Sequence, residues 1–206
     1  PYNEALYGRN YCGDIVCATS KALARDAMAV WVQQQLSSGQ TMTQVQNYLK
    51  KFDVWDRYDL DGDGDFDEAD GYIDHMQVVH AGGDEAAGDP NQGTDAIWSH
   101  RWYSNLQAGG PGGLTGVNIG ANGGLVSSDK IPNNPTGIWL GDYTVQPENG
   151  GLGVFAHEYG HDLGLPDLYD TSGNTGGAEN STAFWTLMSS GANVGDGGPG
   201  QSRLRI

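Results

Sequence analysis

Residues 157–167 read His-Glu-Tyr-Gly-His-Asp-Leu-Gly-Leu-Pro-Asp, with two histidines four positions apart. On an α-helix, the side chains of His157 and His161 project from one face, one turn apart, and two neutral imidazoles at this spacing can bind one zinc ion. Glu158, one position round the helix, can act as a general base toward water without ligating the metal. The alternative is an ordinary amphipathic helix with two surface histidines. The pattern favours the active site of a zinc peptidase.

The residues after the second histidine predict a sharp turn. Gly164 stands where a helix would end in a left-handed residue, a conformation that glycine adopts without steric cost. Pro166 cannot continue a helix, so the chain must turn there, and the turn can bring Asp167 back toward the two imidazoles. Zinc accepts a carboxylate oxygen as a third ligand and keeps a fourth position for water. Asp167 is therefore the predicted third ligand, although a turn-capping or calcium-binding role stays open.

A second candidate for the third ligand is Glu179, which lies 18 residues after His161. That spacing is close to the one by which thermolysin-like peptidases supply a glutamate from a second helix. The surrounding Gly-Gly-Ala-Glu-Asn-Ser is a poor helix former, because glycine and asparagine disfavour a helix interior. The sequence therefore favours Asp167.

Residues 59–70 form an acidic loop of the EF-hand type. Counting from Asp59 places aspartates at positions 1, 3 and 5, Gly64 at position 6 and the apolar Phe66 at position 8, as in a calcium loop. Asp70 takes position 12, where an EF-hand usually has a bidentate glutamate. The alternative is a solvated acidic turn. We predict a structural calcium site whose candidate ligands are Asp59, Asp61, Asp63, Asp65, Asp67 and Asp70.

The composition suits one domain of 206 residues with a sizeable core. The 33 glycines indicate many loops, and the chain has no run of 18 apolar residues that would predict a membrane-spanning helix. The formal net charge of −16 argues against nucleic acid or an anionic membrane as a partner. Bound cations would explain the excess of carboxylates, because they relieve the repulsion among them.

The hydrophobic pattern predicts helices, then strands, then the helix that carries the histidines. The predicted helices are 21–36, 43–51 and about 151–163, and the predicted strands are 72–80, 96–103, 114–119 and 136–146. This order suits an α+β or α/β domain in which glycine-rich loops connect a twisted mixed sheet and the active-site helix lies beneath it. We expect the strand at 136–146 to be the rim along which an extended substrate pairs.

Five stretches of the chain match a known family in order. They are Asp-Leu-Asp-Gly-Asp-Gly-Asp-Phe-Asp-Glu-Ala-Asp-Gly-Tyr-Ile-Asp-His-Met at 59–76, Val-Val-His-Ala-Gly at 78–82, Ile-Trp-Ser-His-Arg-Trp at 97–102, the histidine motif extended to Asp170, and Trp-Thr-Leu-Met-Ser-Ser-Gly at 185–191. In these residues the chain resembles the immune inhibitor A family of secreted bacterial metallopeptidases. The resemblance implies a zincin-like, metzincin-type catalytic domain over 1–206, with an upper subdomain over about 1–163 and the start of a lower one over about 164–206.

The resemblance also implies an activity and its partners. It implies a zinc endopeptidase that is made as a precursor, loses its propeptide and is secreted to act on extracellular proteins or peptides as a monomer. Members of the family continue beyond the segment that corresponds to 185–191, so we expect this chain to be part of a longer protein. The alternative is an extracellular binding module that calcium stabilises and whose peptidase site no longer functions. The presence of Glu158 argues against it, because binding alone needs no general base.

Two further predictions depend on the resemblance. In metzincins a methionine in a tight turn forms an apolar floor beneath the metal, and Met188 stands in such a turn, although alone it would more simply be a core residue. Cys12 and Cys17 are the two cysteines of the chain. A disulfide fits an exported protein best, with two free thiols or half of a zinc site as alternatives. Such a short bridge would contribute about 2 kcal/mol.

Overall fold

A computed structural model describes residues 4–14, 16–86, 89–122, 132–171 and 182–193. It is a mixed α+β structure. The helices are α1 (Glu4–Gly8), α2 (Ala18–Ser37), α3 (Met42–Leu49) and α4 (Leu152–Asp162), and none of them in these residues is both long and apolar enough to cross a bilayer. The strands are β1 (Tyr72–Ile73), β2 (Gln77–His80), β3 (His100–Tyr103), β4 (Val117–Asn118), β5 (Trp139–Leu140) and β6 (Asp142–Pro147). Short 3-10 helices occur at Lys50–Phe52, Gly93–Asp95, Pro111–Gly113, Ala183–Trp185 and Ser190–Asn193.

The described residues divide into two compact units. The first unit comprises residues 16–76, 102–122 and 132–143, and the second comprises 4–14, 77–86, 89–101, 144–171 and 182–193. The helix that carries the two histidines belongs to the second unit. The subdomain boundary near residue 163 stays a prediction.

The first unit contains the two helices predicted from their apolar stripes. α2 buries Ala24, Met28 and Val32, which lie four residues apart on one face. α3 begins with a capping box, in which the Thr41 hydroxyl accepts the N–H of Gln44 at 3.3 Å and the Gln44 side-chain oxygen accepts the N–H of Thr41 at 2.8 Å. Both helices are confirmed, and each end differs from the prediction by three residues or fewer.

The first sheet also lies in the first unit, in the order β1–β5–β4. β1 pairs with β5 in parallel, with Tyr72 opposite Trp139, and β4 pairs with β5 in the antiparallel sense, with Val117 opposite Leu140. Val117 and Leu140 are fully buried. This sheet is therefore part of the core of the first unit.

The strand predicted over 72–80 is interrupted at residues 74–76. The N–H of Asp74 donates to the carbonyl of Phe52 at 2.7 Å, and its carboxylate accepts the N–H groups of Val54 and Trp55 at 3.1 and 3.3 Å. These bonds connect Asp74 to the segment after α3 instead of to a neighbouring strand. The interruption therefore follows from contacts with residues about 20 positions away, which strand periodicity does not reveal.

The second sheet has the order β2–β6–β3. β2 pairs with β6 in parallel, from Gln77 opposite Thr144 to His80 opposite Pro147, and all six residues of β6 are buried. The prediction that 136–146 forms a rim for the substrate is wrong. In the described sheets β5 and β6 each lie between two other strands, so their hydrogen-bonding edges are already paired.

α4 follows β6 after the short connection 148–151 and packs closely on the 3-10 helix Ser190–Asn193. Gly153 permits this approach, because a Cβ atom built there would lie 2.1 Å from the carbonyl oxygen of Ala192. The helix that carries the histidines is thereby held against the segment that follows the methionine turn.

The cysteines confirm one prediction that rested on the family resemblance. Cys12 and Cys17 are disulfide-bonded. Cys17 is also the N-cap residue of α2, in an extended backbone conformation. The bridge therefore braces the segment that leads into this helix.

The close approach at Gly153 generates a stability prediction. Gly153→Ala should lower the free energy of unfolding by roughly 1–3 kcal/mol, because the clash is with backbone and outweighs a gain in helix propensity of about 1 kcal/mol. Gly141→Ala is the matched control, since its Cβ would meet Tyr72 at an ordinary 3.5 Å. Urea unfolding of both variants measures the difference. Equal stability of the two would show that α4 does not depend on this contact.

Candidate metal centre

α4 places the two predicted histidine ligands one turn apart. The Nε2 atoms of His157 and His161 are separated by 3.1 Å. His157 Nδ1 bonds to the carbonyl oxygen of Leu187, and His161 Nδ1 bonds to that of Leu165, both at 2.8 Å. Because a carbonyl oxygen only accepts, each Nδ1 carries a proton, so Nε2 of the neutral ring presents a lone pair. Both rings are thus held in the tautomer that binds metal through Nε2.

α4 ends in a Schellman turn. The N–H of Gly164 donates to the carbonyl of His161, and the N–H of Leu165 donates to that of Gly160, both at 2.9 Å. Gly164 has a φ of +87°, the left-handed conformation expected from the sequence. The same turn places the Leu165 carbonyl against His161, so the end of the helix also orients one of the imidazoles.

The chain after this turn brings Asp167 to the two histidines. Asp167 Oδ1 lies 3.3 Å from His157 Nε2 and 3.2 Å from His161 Nε2. This oxygen is buried and has no hydrogen-bond partner within the described part of the chain. Three acceptor atoms thus converge without a donor, an arrangement that repels itself unless a cation lies among them. Glu179, the alternative third ligand, lies outside the described residues.

Glu158, the predicted general base, lies beside this cluster and is 6% exposed. Burial is the largest cause that raises the pKa of its carboxyl to about 8, and the negative charges of Asp167 and Asp84 add to it. The N–H of Arg101 donates to Glu158 and opposes the shift. A positive charge held by the three acceptors would also lower this pKa. A buried carboxyl that titrates near neutral pH can both take up and release a proton.

Met188 packs against α4 at Gly160, which lies between the two histidines in the sequence. It is buried, and a Cβ atom built at Gly160 would lie 2.6 Å from its Sδ atom. The N–H of Leu168 donates to the Met188 carbonyl at 2.7 Å, which connects the turn carrying Asp167 to the methionine turn. Sequence reasoning missed Gly160, although a glycine inside a helix signals a close approach by another group.

Tyr169 was also missed from the sequence. Its hydroxyl donates to the Asp167 carboxylate, and burial together with the charge of Asp167 raises the pKa of Tyr169 to about 12. Tyr169, His157 and Glu158 line a cavity of about 400 Å³. The one available signal was its position two residues after Asp167.

Asp84 forms part of another wall of this cavity. It is 2% exposed, and its carboxylate accepts the hydroxyl of Ser99 at 2.6 Å and the N–H groups of Ser99 and Ala86 at 3.1 and 3.0 Å. These three bonds satisfy much of a buried carboxylate without a cation. The charge of Asp84 is one of the causes that raise the pKa of Glu158. No local pattern could have indicated this, because the two residues are 74 positions apart.

The acidic loop in the first unit is held by its own carboxylates. Asp59 Oδ1 accepts the N–H of Gly64 at 3.0 Å, which spans the turn of the loop. The next three aspartates of the alternating series, Asp61, Asp63 and Asp65, each accept the N–H two residues further on, at 3.2, 2.7 and 3.0 Å. The loop therefore has the folded-back backbone expected of an EF-hand-like segment.

Two clusters of three carboxylates form in this region, each with oxygen atoms within 4.8 Å of one another. They are Asp59, Asp61 and Asp63, and Asp56, Asp61 and Glu68. Mutual repulsion is visible at Glu68, whose pKa is raised chiefly by the charge of Asp61. Sequence reasoning missed Asp56 and Glu68, because neither takes a ligand position when the count starts at Asp59.

The other three predicted calcium ligands, Asp65, Asp67 and Asp70, belong to neither cluster within the described residues. Asp70 instead accepts the N–H of Tyr72 at 2.8 Å, and burial raises its pKa to about 6. The structure thus brings together Asp59, Asp61 and Asp63, and calcium binding at this loop stays a prediction.

Known proteins show a clear relationship to this chain. The model of the family described as "Immune inhibitor A peptidase M6, catalytic domain" matches residues 1–203. Immune inhibitor A of Bacillus thuringiensis subsp. alesti is 44% identical over 152 residues, which cover 71% of this chain and 19% of that protein. Pre-pro-metalloprotease PrtV of Vibrio cholerae serotype O1 is 38% identical over 195 residues, which cover 94% of this chain and 18% of that protein. This chain therefore spans about a fifth of the length of these relatives.

The two carboxylate clusters generate a prediction about calcium. Calcium at about 100 times its Kd stabilises a folded protein by about 2.7 kcal/mol, so the melting temperature should rise between micromolar and millimolar calcium. Asp61→Asn should remove most of this rise, because Asp61 belongs to both clusters. Asp65→Asn should keep it, since the amide oxygen can still accept the N–H of Asp67.

Thermal unfolding of the parent and both variants tests the assignment. Equal loss in the two variants would favour the larger aspartate site predicted from the sequence. If the melting temperature of the parent protein does not change with calcium, the loop is an acidic turn that binds no calcium.

Proposed function

Because this chain belongs to the immune inhibitor A family of M6 peptidases, we propose that it is the catalytic domain of a zinc-dependent endopeptidase acting on extracellular proteins. The observation that carries the proposal is the convergence of His157 Nε2, His161 Nε2 and Asp167 Oδ1 beside the buried Glu158. Two imidazole nitrogens and one carboxylate oxygen are a set of ligands that suits zinc and leaves a fourth position open, as in catalytic zinc sites. When bound, zinc supplies a Lewis acid that acidifies water and polarises a carbonyl group.

The residues of this chain then carry the proton transfers. Glu158 accepts the proton of the attacking water and passes it to the leaving amine, which requires a carboxyl that binds protons near neutral pH. Burial of Glu158 supports this role, because it raises the pKa and excludes competing water. The hydroxyl of Tyr169 donates its one proton to the Asp167 carboxylate, so we assign to it the orientation of this third ligand.

We further propose the metzincin-type arrangement for this site. Met188 is buried against Gly160 of the helix that carries both histidines, which supports its role as the apolar floor of the metal site. The Schellman turn at Gly164, which redirects the chain toward Asp167, supports the division into an upper part to about residue 163 and a lower part from 164. Calcium at the acidic loop is proposed as a second, structural cofactor.

Secretion and a precursor form are proposals that rest on the relatives and on the disulfide. The name "Pre-pro-metalloprotease" describes the Vibrio cholerae relative as a precursor. The Cys12–Cys17 bridge is typical of oxidising compartments. We propose the same route for this protein, with the mature enzyme acting as a monomer. The rival function, a calcium-stabilised binding module, is not favoured, because the chain keeps Glu158 and belongs to a peptidase family.

The roles of Glu158 and Tyr169 can be separated by two isosteric substitutions. Glu158→Gln should keep about one zinc per chain and lower kcat by about 10²–10⁴-fold, because it removes the base and no ligand. Tyr169→Phe should weaken zinc binding by about 10–100-fold, because it removes the hydrogen bond that orients Asp167. Zinc content by atomic absorption and casein hydrolysis measure both effects. Loss of zinc from Glu158→Gln would refute its assignment as a base.

The third ligand can be tested by a matched pair of carboxylates. Asp167→Ala should weaken zinc binding by more than about 100-fold, since changes in residues that merely orient a ligand already cost 10–100-fold. Glu179→Ala should keep zinc and change stability by under about 0.5 kcal/mol. Competition with a zinc-binding dye gives both affinities. The reverse result would assign the third ligand to Glu179 and place the site in the thermolysin-like class.

A further inference from the structure

A second cavity, of about 290 Å³, lies wholly within the first unit and contains none of the proposed zinc ligands. Four aromatic rings form its walls, those of Trp55, Tyr58, Tyr72 and Tyr103. Tyr58 and Tyr103 are 55% and 45% exposed, so part of each ring is accessible from solvent. Exposed rings around a concave site are suited to contact a ligand.

The polar groups of this cavity accept hydrogen bonds more than they donate them. Its lining contains the carboxylates of Asp70, Asp74 and Asp142, and one cation, Arg57. Arg57 Nη1 donates to Asp142 Oδ2 at 2.7 Å, and Nη2 donates to the backbone carbonyl of Asp74 at 3.0 Å. The guanidinium therefore compensates one carboxylate, and a net negative charge remains in the wall. A ligand that fits this chemistry is positively charged and rich in N–H donors.

One positively charged group, the guanidinium of Arg57, already lies in the wall of this cavity. The guanidinium carbon of Arg57 lies 4.8 Å from the centre of the Trp55 ring while the same group pairs with Asp142. A cation is thus bound between an aromatic face and a carboxylate. The other three rings and Asp70 line the same cavity and supply the same two kinds of group, an aromatic face and a carboxylate, for a second cation.

The volume of the cavity and its apolar side chains limit further which ligand can bind there. Pockets for drug-sized molecules measure about 300–1,000 Å³, so this cavity suits a single side chain better than an oligosaccharide. Ile73 and Leu114 add apolar surface against which an alkyl stem can pack. We propose that this cavity binds a lysine or arginine side chain presented by a polypeptide. This binding site is independent of the zinc site and would persist if the proposed peptidase activity were absent.

Calorimetric titration with short blocked peptides tests the proposal. The probes are acetyl-Gly-Lys-Gly-amide, acetyl-Gly-Arg-Gly-amide and the neutral acetyl-Gly-norleucine-Gly-amide, with the full chain in saturating calcium. The basic peptides should bind at one site per chain and at least about tenfold more tightly than the neutral one. Asp70→Asn and Tyr103→Leu should each weaken them by about tenfold. Asp70→Asn is chosen because the amide oxygen can still accept the N–H of Tyr72.

Matched controls distinguish this site from general attraction to an acidic protein. Asp95→Asn and Tyr11→Leu remove an exposed acid and an exposed aromatic ring outside the cavity and should leave binding unchanged. Equal weakening by all four variants, or binding of several peptides per chain, would overturn the proposal in favour of diffuse electrostatic attraction. Equal affinity for the norleucine peptide would make the cavity an apolar site. Tight binding of choline without binding of the peptides would also overturn it, since the ligand would then be a small free cation.

Discussion

The second unit is organised around three hydrogen-bond acceptor atoms that repel one another. Two imidazole lone pairs and one carboxylate oxygen lie about 3 Å apart, with no donor among them in the described residues. Such a cluster disperses unless other bonds hold each member. The carbonyls of Leu187 and Leu165 hold the rings, and the Leu168–Met188 bond holds the turn that carries the carboxylate. These hydrogen bonds thus hold an arrangement that is favourable only when a cation is bound.

Two carboxyl groups that are not proposed zinc ligands are also buried beside the site. Glu158 and Asp84 are both nearly inaccessible and line one cavity. Asp84 accepts three hydrogen bonds from neutral donors, whereas the pKa of Glu158 is raised by its burial and then by the charges of Asp167 and Asp84. Glu158 thereby becomes able to exchange a proton near neutral pH. Burial and neighbouring negative charge, both set by the packing of the second unit, produce this behaviour.

The two glycines of α4 show how close packing serves the same site. Gly153 admits the backbone at Ala192, and Gly160 admits the sulfur of Met188. Both contacts hold the segment around the methionine turn against the helix, although the contacting residues are 28 or more positions apart in the chain. Glycine in a helix costs about 1 kcal/mol relative to alanine. At these two positions that cost permits contacts that a Cβ atom would prevent.

Local backbone geometry explains which features could be predicted from the residues alone. The four-residue spacing puts His157 and His161 on one face, and Gly164 followed by Pro166 ends the helix and turns the chain, because these features depend on backbone preferences over a few residues. Helices α2 and α3 were predictable for the same reason. Long-range packing sets the remaining features. It interrupts a strand at Asp74 and makes β5 and β6 central strands. It also brings Asp56 and Glu68 to the acidic loop, and it places the charge of Asp84 near Glu158. Each of these depends on a contact or a pairing that local periodicity does not encode, because it is set by how whole segments pack and which hydrogen-bonding groups that packing leaves to be satisfied.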